Sequence, residues 1–346
     1  MSDVKNKMKA AVLYGPSLLS IEEVDVPEIL DDEVLIRVKN IGICPSDVRS
    51  YLGIYKKQLP YGKNSYGLTG HEWSGEIVKV GGMVKDFSVG DRVVPEIIIP
   101  CGLCKFCMKG LTNLCINKQG VTKGYAEYVK APAKVLFRIP KNVSFKEAAF
   151  SEPLAVCLHT NEIISPKPDD VILIIGAGPM GLIHLQISKL SGAKVIVSEV
   201  SDSRLYFAKK FGADLTVNPL KEDVCKVVKD LTDGYGAEAV IVAVGNKIAI
   251  ESAFKAVSAA GTIVLFGGTY PPTNIEIDPN IIHYGEIKVT GSYDHLPIHV
   301  EKALKLLHDK KIEVETLVSH EFPLERLKEA FELVKNGTSL KVQIKP

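Results

Sequence analysis

The sequence predicts a mixed α/β fold in which a strand-rich first part precedes a doubly wound part built on a parallel sheet. In the first part, residues 34–38 and 76–80 alternate apolar and polar side chains, which is the period of half-buried strands. Beyond Pro168, continuous apolar runs with helical stretches between the first of them replace this alternation. Uninterrupted apolar strands are typical of a parallel sheet that is buried on both faces. The runs are residues 171–175, 194–197, 239–242 and 262–266.

The length and charge of the chain narrow the classes of function. Its 346 residues are enough for two domains of ordinary size. A net charge of +1 offers no basic surface, so we expect neither nucleic acid nor a membrane as a partner. Residues 1–11 lack the apolar core of a signal peptide, and no apolar run approaches the ~20 residues of a membrane span. The seven cysteines are then expected to be reduced thiols or metal ligands in a cytoplasmic protein.

Helices are predicted where capping signals or helical spacing occur. Ser144 and Glu147 have the spacing of a capping box, and Pro153 is expected to be the first residue of a second helix. Further helices are predicted at residues 181–190, 203–211, 300–308 and 324–334, with a final strand at 340–344.

Four cysteines fall within one short segment: Cys101, Cys104, Cys107 and Cys115. The first three follow one another at C-x-x-C spacing, which turns their thiol groups inward from a tight loop. Four thiolates match the tetrahedral shell of a structural zinc ion and leave no open position for a substrate. The alternative is a group of free thiols or a disulfide pair, which the scarcity of cysteine elsewhere in the chain disfavours.

A glycine-rich segment follows the first apolar run and opens a helical stretch: Gly176-Ala177-Gly178-Pro179-Met180-Gly181. In that context a G-x-G-x-x-G sequence predicts a dinucleotide site. The first glycine permits a tight turn, the second lets a pyrophosphate approach the backbone, and the third lets helix and strand pack closely. Amides at the start of the helix then face the negative charge of the pyrophosphate.

Glu199 ends the second apolar run, where a carboxylate can accept hydrogen bonds from the hydroxyl groups of the adenosine ribose. The same carboxylate repels a 2′-phosphate, so we expect NAD rather than NADP. Arg204 leaves the alternative open, because an arginine can bind a 2′-phosphate. Beside Glu199 we interpret it as an adenine-side contact or a surface charge. The other interpretation of Glu199 is a solvated carboxylate at a strand end.

Cys44, His71 and Glu72 lie in loop-like segments and are further candidate metal ligands. Taken singly, a cysteine is usually a small core residue, and a histidine usually satisfies a local hydrogen bond. Beside a dinucleotide motif and a four-cysteine loop, they indicate a second metal site.

Over essentially its whole length, the chain resembles the zinc-containing medium-chain alcohol and polyol dehydrogenase family. The resemblance is carried by Cys44-Pro45-Ser46-Asp47, Gly70-His71-Glu72, the four-cysteine loop, residues 151–156 and 176–181, and residues 282–284 with Gly291-Ser292. It implies a GroES-like, β-rich catalytic domain of residues 1–155 and 291–346, and a Rossmann NAD-binding domain of residues 156–290. It also implies an active site in the cleft between them, and a homodimer or homotetramer built through the nucleotide domains.

The resemblance implies a catalytic zinc ion bound by Cys44, by His71 and by a third protein ligand, with water completing the shell. The third ligand is either Glu152 or Glu72. With the four-cysteine site, this gives two zinc ions per chain.

Other site residues also follow from the resemblance. Ser46 matches a hydroxyl that passes the alcohol proton outward, and Asp47 matches a carboxylate that orients the zinc-bound histidine. Their alternatives are a loop hydroxyl and a turn-capping aspartate. Gly267 and Ser292 are assigned to the cofactor site.

Two residues depart from the family's first motif, which usually has a glycine in place of Pro45 and a histidine in place of Arg49. The histidine commonly ends the proton relay, whereas an arginine cannot release a proton at working pH. The relay must then end on solvent, the ribose or another group, or the acidity of the substrate reduces the need for it. Arg49 is interpreted as a ligand for a carboxylate or a sugar hydroxyl, or as a surface or cofactor-phosphate arginine.

These features predict a zinc- and NAD-dependent enzyme that moves a hydride from a secondary alcohol, such as a polyol or sugar, to NAD and forms a ketone. Tyr51, Tyr55 and Tyr66 are candidates for the lining of a sugar pocket. A threonine or simple-alcohol dehydrogenase of the same fold is the alternative within the family. A zinc module for nucleic acid is opposed by the neutral charge. A non-catalytic zinc- and nucleotide-binding protein is opposed by the presence of Cys44, His71 and both glutamates, Glu72 and Glu152.

Overall fold

A computed structural model describes residues 6–54 and 60–346 of the protein, so Tyr55 lies outside the described residues. The chain divides into two compact units, one formed by Met1–Pro153 with Leu296–Pro346 and the other by Leu154–His295. The junctions predicted from the sequence lie after residues 155 and 290. Across the described ranges, no helix combines the length and the apolar composition that crossing a bilayer requires.

The helices and strands of the described residues follow one another in chain order. The chain begins with β1 (Lys7–Leu13), β2 (Leu19–Asp25), β3 (Glu33–Gly42), α1 (Pro45–Tyr51), β4 (Glu72–Val80), β5 (Arg92–Pro95), β6 (Ile98–Ile99), β7 (Gln119–Gly120), β8 (Tyr128–Pro132), β9 (Leu136–Arg138) and α2 (Phe145–Ala148). It continues with α3 (Ser151–Ile164), β10 (Val171–Ile175), α4 (Pro179–Leu190), β11 (Lys194–Ser198), α5 (Asp202–Lys210), β12 (Leu215–Val217), α6 (Val224–Leu231), β13 (Ala237–Val242), α7 (Lys247–Ala256), β14 (Val257–Leu265), α8 (Pro279–Gly285) and β15 (Lys288–Gly291). It ends with α9 (Pro297–His308), β16 (Val318–Pro323), α10 (Leu327–Lys335) and β17 (Lys341–Lys345).

The main sheet of the first unit has the strand order β16-β17-β3-β4-β5-β9, with β8 also paired to β3. Gly42, the last residue of β3, pairs with Glu72 at the start of β4 and with Gln343 of β17. Cys44 follows two residues later and caps α1, while His71 immediately precedes β4. The register of the sheet therefore brings the cysteine, the histidine and the glutamate to one end of neighbouring strands.

Aromatic side chains hold α1 against α10 in the core of the first unit. Phe331 of α10 is fully buried, and its ring centroid lies 5.3 Å from that of Tyr51 and 5.5 Å from that of Tyr125. Tilted and edge-to-face ring pairs at these distances are favourable. Because Tyr51 is the last residue of α1, this packing fixes the helix that follows Cys44.

The sheet of the second unit has the strand order β12-β11-β10-β13-β14-β15, and its strands are parallel. Strand β10 is buried at every position, as its uninterrupted apolar sequence predicts, and α4 and α7 contact it. The strand order reverses direction beside β10, which is the arrangement of a doubly wound sheet. The predicted fold class is confirmed.

Two local predictions were wrong, and a third was right except that the predicted helix is short. Pro153 is the third residue of α3, which begins at Ser151; a proline is tolerated there because the amides of a first turn have no intrahelical partner. Glu72 is the first residue of β4 and does not lie in a loop. The capping box of Ser144 and Glu147 is present, but the helix it starts is only 4 residues long.

His184 of α4 lies inside the second unit with no exposed surface. Its ring packs edge-on against that of Phe266 at 4.5 Å between centroids, and neither ring nitrogen has a hydrogen-bond partner among the described residues. Burial lowers the pKa of His184 to about 3. The folded protein keeps this imidazole neutral at pH values where the unfolded chain, with an ordinary histidine pKa of about 6.5, is protonated.

We predict that His184→Leu makes the protein less sensitive to acid. Between about pH 6.5 and about pH 3, the unfolded chain binds a proton that the folded chain excludes, so lowering the pH reduces the free energy of unfolding. Urea denaturation of the wild type and the variant at pH 7 and pH 5 measures this effect. Between pH 7 and pH 5, the free energy of unfolding of the wild type should fall by about 2 kcal/mol more than that of the variant. If both fall by the same amount, His184 is protonated in the folded state.

Candidate metal centres and dinucleotide site

Cys44, His71 and Glu72 converge in the first unit, where one ligand atom of each lies within 4.8 Å of those of the other two. Cys44 caps the N-terminus of α1, and Pro45 supplies the fixed backbone angle of the first helical turn. Cys44 and His71 are half-buried and Glu72 is buried, so a cation held by them would be largely shielded from bulk water.

The carboxylate of Asp47 is the centre of hydrogen bonding beside this cluster, and it has no exposed surface. Oδ1 accepts a hydrogen bond from the Thr69 hydroxyl at 2.5 Å and lies 3.4 Å from Nδ1 of His71. Oδ2 accepts hydrogen bonds from the Cys44 amide at 3.1 Å and from the Tyr125 hydroxyl at 2.7 Å. Burial raises the pKa of Asp47, but the His71 ring and these hydrogen bonds outweigh burial, so the pKa lies below its ordinary value.

The imidazole of His71 is oriented by its own loop. Nδ1 lies 2.8 Å from the carbonyl oxygen of Thr69, to which it donates when it carries the ring proton. Nε2 is then left with a lone pair, and it lies 4.0 Å from Oε1 of Glu152. Burial lowers the pKa of His71, but Asp47 and Cys44 raise it well above its ordinary value. A cation bound at Nε2 would replace the proton that this environment favours.

Lys341, the first residue of β17, is a site residue that sequence reasoning missed. Its ammonium group contacts Oε2 of Glu72, and both side chains are buried. Burial lowers the pKa of Lys341, but the charges of Glu72 and Cys44 outweigh it and raise the pKa above its ordinary value. Gly42 leaves room for this pair, since a Cβ there would lie 2.8 Å from Cε of Lys341 and would overlap Oε2 of Glu72.

The donor set at this cluster fits a zinc ion. A thiolate, an imidazole and a carboxylate fill three of four tetrahedral positions and leave one open. Glu72 is already in contact with Lys341, whereas Oε1 of Glu152 faces the free nitrogen of His71 at 4.0 Å. Two ligands of one zinc stand about 3.4 Å apart when their bonds are ~2.1 Å. The 4.0 Å separation of His71 and Glu152 is about 0.6 Å longer than a shared tetrahedral zinc requires, so Glu152 would have to move towards the metal to bind it.

The other four predicted ligands form a separate cluster in the first unit: Cys101, Cys104, Cys107 and Cys115, whose sulfur atoms lie within 4.8 Å of one another. The Sγ atoms of Cys104 and Cys107 are 3.6 Å apart, and those of Cys101 and Cys107 are 3.9 Å apart. Zinc–sulfur bonds of ~2.3 Å place the sulfurs of a tetrahedral site about 3.8 Å apart, so the cluster fits a zinc ion with every position filled. All seven cysteines are described and none is in a disulfide.

The thiols of Cys104 and Cys107 have pKa values that are shifted in opposite directions. Hydrogen bonds from backbone amides, chiefly that of Cys107, lower the pKa of Cys104 to about 6. Burial and the neighbouring thiols raise the pKa of Cys107 to about 12. A cation must therefore supply positive charge before all four sulfurs can be thiolates together.

The turn after β10 has the shape that a pyrophosphate needs. Gly176 has a φ of +107°, a conformation that residues with side chains rarely adopt. A Cβ at Gly181 would overlap the carbonyl oxygen of Gly176, so α4 packs directly on the turn. A Cβ at Gly178 would meet no atom within 4 Å, which leaves open space where α4 begins with Pro179 and Met180. The amides at this helix start attract an anion.

Glu199 follows β11 and is buried against this turn. Its Oε2 accepts a hydrogen bond from the Ala177 amide at 2.8 Å, and its Oε1 accepts one from the Ser201 amide at 3.0 Å. Nη1 of Arg204 lies 3.9 Å from Oε2, so the carboxylate partly offsets the guanidinium charge. Because a carboxylate has about four acceptor positions, these bonds leave capacity for the ribose hydroxyls.

The remaining predicted site residues have less specific surroundings. Ser46 is half-buried in the first turn of α1, two residues beyond Cys44. Ser292 is buried and accepts a hydrogen bond from the Thr160 hydroxyl at 2.8 Å, so its hydroxyl already has an internal partner. The Gly267 amide donates to the carbonyl of Val242 at 2.9 Å. The assignment of Ser46, Gly267 and Ser292 to catalysis or cofactor binding stays a prediction.

Known proteins match the chain over both units. Residues 30–141 match the family model for an alcohol dehydrogenase GroES-like domain, and residues 179–309 match the model for a zinc-binding dehydrogenase. A D-arabitol-phosphate dehydrogenase from Enterococcus avium is 36% identical over 338 residues, which cover 95% of this chain and 94% of that protein. A sorbitol dehydrogenase from Halalkalibacterium halodurans is 34% identical over an alignment of 348 positions, which covers 98% of this chain and 99% of that protein.

Solved structures give the same match at the level of the fold. A zinc-binding dehydrogenase from Sinorhizobium meliloti 1021, bound to NADP, aligns with a TM-score of 0.90 and 30% identity. The alignment covers 99% of this chain and 100% of that chain.

Equivalent cysteine replacements should affect the two metal centres differently. Cys104→Ser opens the closed four-sulfur site, so we predict the loss of one zinc ion per chain and a lower melting temperature, because structural zinc contributes to the free energy of folding. Cys44→Ser is predicted to weaken binding of the other zinc while the melting temperature stays within a few degrees of wild type. Metal analysis by mass spectrometry and melting followed by circular dichroism measure both effects. Equal losses of melting temperature in the two variants would refute this division.

The ion pair between Lys341 and Glu72 can be tested separately. Lys341→Met keeps most of the buried stem but leaves the Glu72 carboxylate without its cation, which costs of order 3–5 kcal/mol. We predict a lower free energy of unfolding for this variant and substantial recovery in Lys341→Met/Glu72→Gln, measured on zinc-loaded protein by urea denaturation. If the double variant is no more stable than the single one, the two side chains are not coupled.

Proposed function

This chain belongs to the zinc-containing medium-chain alcohol and polyol dehydrogenase family, and we propose from that premise that it oxidises a secondary alcohol to a ketone with NAD as the hydride acceptor. The proposed substrate class is a polyol, its phosphate or a related hydroxy compound. The observation that carries the proposal is the cluster of Cys44, His71 and Glu72 within 4.8 Å of one another, with Oε1 of Glu152 4.0 Å from Nε2 of His71. An open metal position suits an alcohol oxygen.

We infer that Cys44, His71 and Glu152 hold the catalytic zinc ion. When bound, zinc supplies a positive charge that lowers the pKa of an alcohol and so favours loss of its proton. The contact of Lys341 with Glu72 favours Glu152 as the third zinc ligand, because the ammonium group of Lys341 already neutralises the Glu72 carboxylate. Glu72 remains near enough to take part in the metal shell. The four-cysteine cluster is proposed to hold a second zinc with a structural role.

The alcohol proton must leave through groups of this chain or through solvent. We propose that the Ser46 hydroxyl relays it, taking up the alcohol proton while passing its own proton to solvent, because Ser46 follows Cys44 by two residues and is half-buried. Asp47 is proposed to hold the Cys44 and His71 loops in place, since both of its oxygens already accept hydrogen bonds. The guanidinium group of Arg49 is proposed to attract an anionic group of substrate or cofactor.

NAD is preferred over NADP in this proposal because a buried carboxylate occupies the region where a 2′-phosphate would bind. Arg204 is the residue that would favour the phosphate, but it faces Glu199 at 3.9 Å and is partly offset by it. The solved relative from Sinorhizobium meliloti is bound to NADP, so both cofactors belong in the test.

We further propose that the protein works in the cytoplasm as a homodimer or homotetramer. The thiol state of all seven cysteines supports a reducing compartment. Strand β15 supports self-association, because it is the edge of its sheet among the described residues and most of its positions are exposed. An open edge strand presents backbone groups that can pair with another chain.

A substrate panel with both cofactors tests the proposal. Zinc-loaded protein is assayed with free polyols, polyol phosphates, threonine and simple secondary alcohols, and the absorbance of the reduced nicotinamide is followed. We predict the highest kcat/KM with NAD and a polyol or polyol phosphate. Preference for threonine or a simple alcohol would replace the proposed substrate class, and no reduction with any alcohol at two zinc ions per chain would refute catalysis.

The isosteric variant Glu199→Gln refines the cofactor test within the same panel. It removes the negative charge while leaving an amide oxygen that can accept the hydrogen bond from Ala177. The ratio of kcat/KM for NAD to that for NADP should fall at least tenfold in the variant. An unchanged ratio would show that Glu199 does not select the cofactor.

A further inference from the structure

Tyr125 is a buried tyrosine beside the candidate zinc site of Cys44, His71 and a glutamate, which we name the mixed-ligand centre. Its side chain has no exposed surface. The hydroxyl donates a hydrogen bond of 2.7 Å to Oδ2 of Asp47, a short distance that is typical of a carboxylate acceptor. The same oxygen accepts a hydrogen bond from the Cys44 amide at 3.1 Å. One oxygen of Asp47 therefore joins Tyr125 to the backbone of a candidate metal ligand.

The ring of Tyr125 is held in place by close packing. A Cβ at Gly70 would lie 2.8 Å from Cδ2 of Tyr125, so the ring packs directly on the residue that precedes His71. The ring of Phe331 contacts it edge-on, with 5.5 Å between the ring centroids. The phenol is therefore a rigid spacer between the loop that carries His71 and the start of α1, where Cys44 lies.

The other oxygen of the same carboxylate has a matching arrangement. Oδ1 of Asp47 accepts a hydrogen bond from the Thr69 hydroxyl at 2.5 Å and lies 3.4 Å from Nδ1 of His71. Each carboxylate oxygen thus has one hydroxyl donor and one group of a metal ligand beside it. Because the two hydroxyls hold the two oxygens separately, they oppose rotation of the carboxylate, which would disturb Cys44 and His71 together.

The hydroxyl of Tyr125 stays a donor at neutral pH. Burial raises the pKa of Tyr125 well above its ordinary value, and the charge of Asp47 raises it further. The phenol therefore keeps its proton and gives it to the hydrogen bond with the carboxylate. The substitution Tyr125→Phe removes this donor and keeps the ring that packs on Gly70.

We propose that Tyr125 is a positioning residue of the mixed-ligand centre, whose hydroxyl fixes the Asp47 carboxylate and, through it, the backbone of Cys44 and the ring of His71. The inference rests on the proposed zinc site and not on the identity of the alcohol. Replacing an outer partner of a metal ligand typically weakens metal binding or activity by about 10–100-fold. Because Tyr125 acts through Asp47, we expect a loss at the lower end of this range.

Zinc binding by Tyr125→Phe tests the inference without an assay of activity. The zinc-loaded full chain is dialysed against chelator-buffered zinc at a series of concentrations, and the bound zinc is counted by mass spectrometry. We expect the dissociation constant of zinc at the mixed-ligand centre to rise about tenfold, while the zinc ion of the four-cysteine cluster stays bound as in the wild type.

The matched control is Tyr128→Phe, which removes another buried tyrosine hydroxyl of the same unit. That hydroxyl accepts a hydrogen bond from Nη2 of Arg37 at 3.1 Å. We expect wild-type zinc affinity in the control. An unchanged affinity in Tyr125→Phe, or an equal loss in the control, would overturn the inference.

A double-variant comparison tests whether Tyr125 acts through Asp47. Asp47→Asn keeps the size of the side chain and removes its charge. If the hydroxyl acts by holding the carboxylate, the effect of Tyr125→Phe on zinc affinity should shrink to less than about threefold in the Asp47→Asn background. The same tenfold loss in both backgrounds would show that Tyr125 acts by another route and would contradict the proposal.

Cadmium-113 NMR gives a readout that a general loss of stability would not move, and it applies even if Asp47→Asn binds no zinc. A metal ion with four sulfur ligands and one with a single sulfur ligand resonate far apart, so the two centres of the cadmium-substituted chain are observed separately. We expect Tyr125→Phe to shift or broaden the resonance of the mixed-ligand centre and to leave the other in place. A spectrum identical to that of the wild type would refute the positioning role.

The outcome is separable from the test of the reaction. In zinc-saturated protein we expect Tyr125→Phe to lower kcat while the KM for NAD stays unchanged, because the dinucleotide turn belongs to the other unit. A chain that reduces no cofactor but shows the zinc and cadmium effects would sustain the positioning role and refute the reaction. A fully active Tyr125→Phe variant with wild-type zinc affinity would do the opposite.

Discussion

The buried carboxylate of Asp47 is the constraint on which the candidate active site depends. A carboxylate without exposed surface is stable only when donors surround it, because removing a charge from water is costly. Here the donors come from the start of α1, from the loop before β4 and from the loop that carries Tyr125. Satisfying one carboxylate therefore fixes three loops relative to one another. Cys44 and His71 lie on two of these loops, so their positions follow from the same requirement.

The pair of Lys341 and Glu72 has a different effect, which concerns charge rather than position. In the proposed ligand set, a thiolate at Cys44 and a carboxylate at Glu152 would carry two negative charges, which a zinc dication would balance. Glu72 would add a third negative charge within the same cluster, and the buried ammonium group of Lys341 cancels it. A metal surrounded by excess negative charge polarises an incoming oxygen less effectively. The lysine thus keeps the cluster close to neutral when the metal is present.

Sequence reasoning reached the parts of the site that are local in the chain. The four cysteines share one loop, and the glycine-rich turn joins β10 to the next helix, so spacing alone predicts both. The contact of Lys341 with Glu72 could not be predicted from the sequence. It depends on the position of β17 beside β3 in the sheet, and no short motif encodes that strand order. The choice between Glu72 and Glu152 is not encoded in a short motif either, because the lysine that bears on it lies in β17. The doubly wound sheet was predictable from its apolar runs, whereas the start of β4 at Glu72 depends on its pairing with Gly42, thirty residues earlier in the chain.

The placement of β17 has a consequence for how the protein is made. The first unit takes its sheet from both ends of the chain, and β17 lies between β16 and β3. At translation rates of about 5–20 residues per second, Lys341 leaves the ribosome roughly 10–40 s after residue 153. During that interval the second unit can complete its own parallel sheet, while the end of β3 beside Cys44 still lacks its β17 neighbour and Glu72 lacks its cation. A nascent chain can therefore form its nucleotide fold and its four-cysteine cluster before β17 has been made. The charge balance of the other metal centre is the last feature to arrive.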